Sequence, residues 1–254
     1  MIVTSKEIID ELMQVYPLEA ACSWDHTGFQ VGRSDRKVNK LLVALDPSEQ
    51  VVDKAIEIGA DMIITHHPLL FQSIYSVTDQ DPKGRILLKL ISNDISLLSL
   101  HTNYDIIRMS RIADEKLNLH DVVPLDEEGL GSLGLLESEV SLKDLAGLVK
   151  TSYKIPDVRL FGNPLDQVKR IAVCPGSGKS LINEAADKCA DVLITGDIDH
   201  HSGLNALEMG VSIIDAGHYG MEYVFSQDIA EFIKSRFDGI EINIDDFRWP
   251  YSLM

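Results

Sequence analysis

Shifted by 130 positions without a gap, the chain matches itself. Leu41-Leu42-Val43-Ala44 falls on Ile171-Ala172-Val173-Cys174, Ala55 on Ala185, and Ala60-Asp61-Met62-Ile63-Ile64-Thr65 on Ala190-Asp191-Val192-Leu193-Ile194-Thr195. A match this long makes the chain two copies of one supersecondary plan. In the first copy, Lys40 to Leu45 is a short apolar strand, Asp46-Pro47-Ser48 opens a helical stretch through Ala55 and Ile58, and Asp61 to Thr65 is a second strand. Strand, helix, strand is the order of a parallel α/β sheet. Each copy is preceded by a helix start: Thr4 with Glu7 forms a capping box ahead of Ile8, Ile9, Leu12 and Met13, and Ser141 with Asp144 opens the run of Leu142, Leu145 and Leu148. The expected fold is therefore two related α/β lobes, residues 1–128 and 129–254, closely packed. The join is expected near residues 129–138, where Gly129-Leu130-Gly131-Ser132-Leu133-Gly134 carries too many leucines for a solvated linker. The chain closes with a helix from Ser226 to about Phe237, a strand from Ile240 to Ile244, and an aromatic tail at Phe247, Trp249 and Tyr251.

Composition narrows the functional classes. With 254 residues and 45% hydrophobic content, the chain can fill a sizeable core. Its net charge of −17 opposes binding to nucleic acid or anionic membranes, because such affinity comes mostly from Lys and Arg on phosphates. The run Met1-Ile2-Val3-Thr4-Ser5-Lys6-Glu7 lacks the basic start and apolar core of a signal peptide, and no apolar run reaches membrane-spanning length, so a cytoplasmic protein is expected. Cys22, Cys174 and Cys189 are odd in number and form no CxxC pair. They are expected to be reduced, buried small residues rather than a disulfide framework or a thiolate zinc cage.

The chemistry collects at strand ends. Ile63-Ile64-Thr65 runs into His66-His67-Pro68. In a continuing strand the two imidazoles would point to opposite faces. Pro68 argues for a strand-to-loop exit, where α/β proteins place their ligands and where both rings can enter one crevice. Two further apolar runs, Ile95 to Leu100 and Val211 to Ile214, exit into His101-Thr102-Asn103-Tyr104-Asp105 and His218-Tyr219-Gly220-Met221-Glu222. Both are His-x3-acid, and a helical turn at each exit would place imidazole and carboxylate on one face. His66, His67, Asp105, His218 and Glu222 make a mixed nitrogen and oxygen donor set that suits Zn, Mn, Fe, Co or Ni better than Ca or Mg. Five such donors exceed one open catalytic zinc and fit a pair of divalent ions about 3.5–4 Å apart. His101 is either a sixth ligand or a partner that orients Asp105. Asp197, His200 and His201 lie where the 130-residue shift puts the counterpart of His66 and His67. They either reach substrate and carry protons or form a solvated turn before a helix near Ser202.

Cys174-Pro175-Gly176-Ser177-Gly178-Lys179-Ser180 looks like a phosphate-cradling loop, yet the glycine a Walker A loop needs five positions before Gly178 is Val173. The nucleotide-triphosphatase reading fails on that residue. A structural turn is expected instead.

Taken together, Trp24-Asp25-His26-Thr27-Gly28-Phe29-Gln30-Val31-Gly32, Ile64-Thr65-His66-His67-Pro68, His101-Thr102-Asn103-Tyr104-Asp105, Ile194-Thr195-Gly196-Asp197 and Asp215-Ala216-Gly217-His218-Tyr219-Gly220-Met221-Glu222 resemble the GTP cyclohydrolase I type 2 homologues, also called NIF-three-like proteins. The resemblance implies two α/β lobes with a dinuclear metal site between them and assembly into a ring-like homohexamer. It carries the ligand role to His66, His67, Asp105, His218 and Glu222. The chain departs from the family after Asp105, where Ile106-Ile107-Arg108-Met109-Ser110 replaces a stretch containing Gly and Asn. Two readings follow. One is a metal-dependent hydrolase of a nucleotide-like substrate, with His101 or His201 as proton carrier. The other is a metal-binding or metal-handling protein without turnover.

Overall fold

Residues 3–251 are described by a computed structural model that divides into two compact units. The first unit comprises the chain through Tyr104 together with Tyr223–Arg248, and the second comprises Asp105–Glu222 together with the chain from Trp249 on. In chain order the first unit forms α1 (Ser5–Val15), β1 (Gly28–Val31), β2 (Lys40–Ala44), α2 (Glu49–Ile58), β3 (Met62–Thr65), α3 (Pro82–Ser92), β4 (Ser96–Ser99) and the short turn α4 (Thr102–Tyr104). The second begins with a π-helical turn at Asp105–Met109. It continues through α5 (Ser110–Leu117), β5 (His120–Pro124), β6 (Ser132–Ser141), α6 (Leu142–Tyr153), β7 (Arg159–Phe161), β8 (Gln167–Ser177), α7 (Ile182–Asp187), β9 (Val192–Gly196), α8 (His200–Glu208), β10 (Ser212–Asp215) and α9 (His218–Glu222). The chain then returns to the first unit as α10 (Val224–Arg236) and β11 (Glu241–Ile244).

The repeat survives as strand register. In the first unit β2 pairs parallel with β3 through Leu41 opposite Met62, and in the second β8 pairs parallel with β9 through Ile171 opposite Val192. Each pair begins on the same anchor. The Asp61 carboxylate accepts from the amides of Asn39 (2.8 Å) and Lys40 (3.1 Å), and Asp191 accepts from Lys169 (2.8 Å) and Arg170 (2.7 Å). The sheets run β1-β4-β3-β2-β11 and β5-β6-β8-β9-β10-β7, with an antiparallel strand, β1 or β7, beside β4 or β10. Their central strands are apolar and buried on both faces, as parallel strands covered by helices must be. Leu42, Ala44 and Ile63 pack with Val52 and Ala55 of α2 and Leu90 of α3. Ala172, Leu193 and Ile213 pack with Ile182, Ala185 and Ala206 in the second unit.

Local signals set the helix ends. Thr4 and Glu7 form the capping box, Ser48 and Ser141 cap α2 and α6, and Gly59 closes α2 in the left-handed region. Each serine or threonine cap contributes about 1 kcal/mol. Within the stretch where the join was expected, residues 132–141 are strand β6, hydrogen-bonded into the second sheet. The leucines there are core residues, since Leu133 and Leu136 are buried. Of the cysteines, Cys22 and Cys174 are buried as expected, whereas Cys189 is exposed in a left-handed turn after α7; all three are free thiols. No described helix is long and apolar enough to cross a membrane.

One carboxyl inside the second unit sets a pH dependence. Burial pushes Asp114 of α5 up to about 6, with Glu115 adding repulsion and the Ser132 hydroxyl, which donates at 2.5 Å, pulling the other way. Its folded value lies above its ordinary 3.8, so the folded form holds the proton more tightly. That contribution is complete below about pH 4 and disappears as pH rises through about 6. Asp114→Asn is expected to flatten thermal stability between pH 4 and 7 and to raise it at pH 7.5 by about 1 kcal/mol, a figure reduced for partial solvent screening. Parallel pH profiles for the variant and the parent would rule this out.

Candidate metal centre

Strand ends in the first unit deliver three imidazoles to one place. Thr65 ends β3, and its hydroxyl donates to the His67 carbonyl at 2.8 Å, tightening the exit that Pro68 then fixes. His66 and His67 follow, and His101 leaves β4 two residues after Ser99. One ligand atom from each of His66, His67 and His101 lies within 4.8 Å of the other two. Ring centroids are 5.0 Å apart for His66 and His67, 5.3 Å for His66 and His101, and 5.7 Å for His67 and His101. His66 is fully buried.

Each ring is oriented through Nδ1. His66 Nδ1 donates to the Leu100 carbonyl at 2.7 Å, His67 Nδ1 faces the Asp46 carboxylate at 2.7 Å, and His101 Nδ1 faces Asp25 at 2.8 Å. A carbonyl or carboxylate oxygen accepts here, so each Nδ1 is the donor, and a ring in its neutral form presents its lone pair at Nε2. Burial pushes the Asp25 carboxyl up, but hydrogen bonds from His101 and from the Thr102 hydroxyl and amide outweigh it and hold the pKa at about 2. Asp25 therefore stays anionic and fixes the His101 tautomer.

The second unit uses the same device. His218 opens α9 and Glu222 ends it, one helical turn on, with His218 Nε2 2.9 Å from Glu222 Oε2. This is the one-face geometry expected of His-x3-acid. His218 Nδ1 faces Asp197 at 2.7 Å, and Asp197 is held in the left-handed region at φ 57°. Gly176 of β8 admits the buried Glu222 carboxylate, because a Cβ there would collide with its Oε1.

The partner of His101 in the sequence pattern behaves differently. Asp105 follows the α4 turn and begins the π-helical turn, so the first His-x3-acid runs on into irregular helix. This is the stretch where Ile106 to Ser110 departs from the family pattern, and π turns recur at functional sites. His200 and His201 lie exposed on the first turn of α8, capped by Asp199, with their rings 5.3 Å apart. Among the described residues neither belongs to a metal-donor group. The glycine turn after β8 is structural, since the Gly178 amide donates to Thr195 Oγ1 and that hydroxyl donates to the Gly176 carbonyl. Asp25 and Asp46 were invisible as ring holders in the sequence. The signal for Asp25 was its place beside Trp24 and His26; Asp46 gave only the Asp-Pro turn.

Parallel strands of an α/β sheet that end in histidines oriented by carboxylates define a candidate metal-binding α/β protein. The chain belongs to the Duf34/NIF3 (NGG1p interacting factor 3) family, which it matches over residues 3–248. It is 33% identical to a GTP cyclohydrolase 1 type 2 homolog of Clostridium perfringens, covering 91% of this chain and 92% of that one. A protein of the same name from Methanocaldococcus jannaschii is 35% identical, over 95% and 99% of the two chains. Among solved structures, a Bacillus cereus protein related to NIF3 superposes with a TM-score of 0.91 at 25% identity, covering 100% and 99%. Reduced HcgD from Methanocaldococcus jannaschii gives a TM-score of 0.88 at 35% identity, covering 97% and 99%.

Proposed function

We propose that His66, His67, Asp105, His218 and Glu222 hold two divalent transition-metal ions and that the protein is a metal-dependent hydrolase of a nucleotide-like substrate. The observation that supports this best is the donor chemistry: three ligand imidazoles, His66, His67 and His218, each with Nδ1 bound to an oxygen acceptor, oriented as metal-ligating histidines are, and His101 held in the same way beside His66 and His67. Such a nitrogen and oxygen set fits Zn, Fe, Mn, Co or Ni. Ions of this kind supply Lewis acidity and bring the pKa of a water toward neutrality. The protein's own contribution is to fix the tautomers, to exclude solvent around His66 and Glu222, and to place His101 as the proton carrier. A proton received at His101 Nε2 leaves a cation facing the Asp25 carboxylate, which stabilises it. His201, exposed on α8, is the weaker candidate for that role.

A second reading, metal handling without turnover, draws on Asp25. This carboxyl is tied to His101, to Thr102 and to the His26 amide and is too acidic to act as a base near neutrality. A metal-loaded preparation assayed against nucleotides and phosphoesters, with GTP included because of the relatives' name, separates the two. Metal-dependent turnover that falls at least about 100-fold in Glu222→Ala supports the hydrolase; retained metal with no turnover across the panel supports handling. The ring-like homohexamer and the cytoplasmic setting belong to the same proposal, and a monomeric mass by light scattering would remove the hexamer.

A further inference from the structure

Two large aromatic side chains beside the histidines of the first unit are left in solvent. Trp24 is 49% exposed and Phe71 39%. Isolated exposed apolar residues are ordinary. These two are clustered and built into place. Trp24 and Phe71 have ring centroids 6.1 Å apart at 73°, and each lies 6.2 Å from the His101 ring, at 78° and 89°. His26 meets Phe71 at 6.2 Å and 67°. All four contacts are edge-to-face, so no stacked pair uses up the exposed faces of the indole and the phenyl ring.

The shelf is rigid. Asp25, next to Trp24, is locked to His101 and Thr102, and its amide donates to the Cys22 carbonyl at 2.9 Å. Gln30 braces the second loop: its amide nitrogen donates to the His26 carbonyl at 2.8 Å, and its oxygen accepts from the Leu70 amide at 3.0 Å. Leu69 is buried beneath. Exposed aromatics fixed in this way are typical binding anchors, because little side-chain entropy remains to be lost.

We infer that Trp24 and Phe71 form a stacking shelf for the flat face of an uncharged nitrogen heterocycle, a nucleobase-like ring whose polar edge meets the histidines. A flat ring rather than a phosphate is what this shelf takes, because the two side chains that form it are aromatic faces without a cation. This deepens the metal-site reading by naming the ligand class, and rests on it for the ligand's place beside the histidines.

The test is calorimetric titration of metal-loaded protein with guanosine, adenosine and GTP, using the parent, Trp24→Ala, Trp24→Phe and Phe71→Ala, with metal content and thermal unfolding recorded for each. Loss of one stacking partner is expected to weaken nucleoside binding roughly 5- to 100-fold. Trp24→Phe should recover most of it, metal content should be unchanged, and each alanine variant should weaken guanosine and GTP by a similar factor. Parent affinity in both alanine variants, no nucleoside binding by the parent, or a GTP affinity that neither alanine variant changes would each overturn the inference. Metal content keeps the two readings apart: a parent that binds nucleosides through Trp24 but holds no metal retains the shelf and loses the metal centre.

Discussion

Alanine at His67 is expected to lower the transition metal recovered from gently purified protein from close to two ions per chain to one or fewer. Elemental analysis of parent and variant side by side reads the change. His67 lies within the turn that Thr65 and Pro68 fix, and Asp46 accepts from its Nδ1, so the ring has one orientation to lose. Asp46→Ala should behave differently. It leaves the ligand and removes only the acceptor that sets tautomer and rotation, which typically costs 10- to 100-fold in affinity, about 1.4–3 kcal/mol, without changing the saturated stoichiometry. A chelator competition resolves that shift. If neither variant changes metal content or affinity, the paired imidazoles and carboxylates serve the fold, and the hydrolase reading goes with them.

The second large effect comes from a position without a side chain. Gly196 ends β9, and a Cβ there would strike the His218 backbone amide and lie 2.8 Å from Gly217 C and His218 Cα. Every one of those atoms is main chain, so no rotamer change relieves the overlap. Gly196→Ala must push α9 away from β9 and separate His218 from Asp197, the residue just past the strand. Overpacking against backbone costs about 2–4 kcal/mol. Urea unfolding is expected to show a midpoint lowered by about 1 M or more for a chain of this size. Gly147 provides the contrast: it lies exposed within α6, and a Cβ would meet nothing within 4 Å. Gly147→Ala is expected to stabilise by about 0.5–1 kcal/mol. Equal stability changes in the two variants would show that close approach at Gly196 carries no special weight.

Much of this arrangement can be read in the chain itself. The 130-residue match announced the two parallel strand pairs through apolar runs of fixed length, while their register and the shared anchoring aspartate, Asp61 or Asp191, came from the structure. His66 and His67 were legible as donors because they follow a buried strand, whereas His101, read as a sixth ligand or as the partner that orients Asp105, joins them because strand ends on one side of a parallel sheet are neighbours. The His218 and Glu222 pair was legible from i,i+4 spacing alone.

Tertiary structure decided the rest. The last helix and strand return to the first unit, where β11 pairs parallel with β2 from Glu241 opposite Lys40. The corresponding flank of β8 is already filled by β6, so only the first sheet has an open edge at that place. Apolar periodicity announces a strand but does not name the edge it joins. The ring holders were hidden for a similar reason: Asp25 lies 76 positions from His101, and Asp46 and Asp197 each lie 21 positions from the histidine they orient. The sequence by itself determined which residues end the strands, through local apolar pattern and turn chemistry. Which nitrogen of His66, His67 and His101 donates was settled by contacts that exist only after distant segments have packed, because a tautomer depends on a partner within hydrogen-bonding distance rather than on a neighbour in the chain.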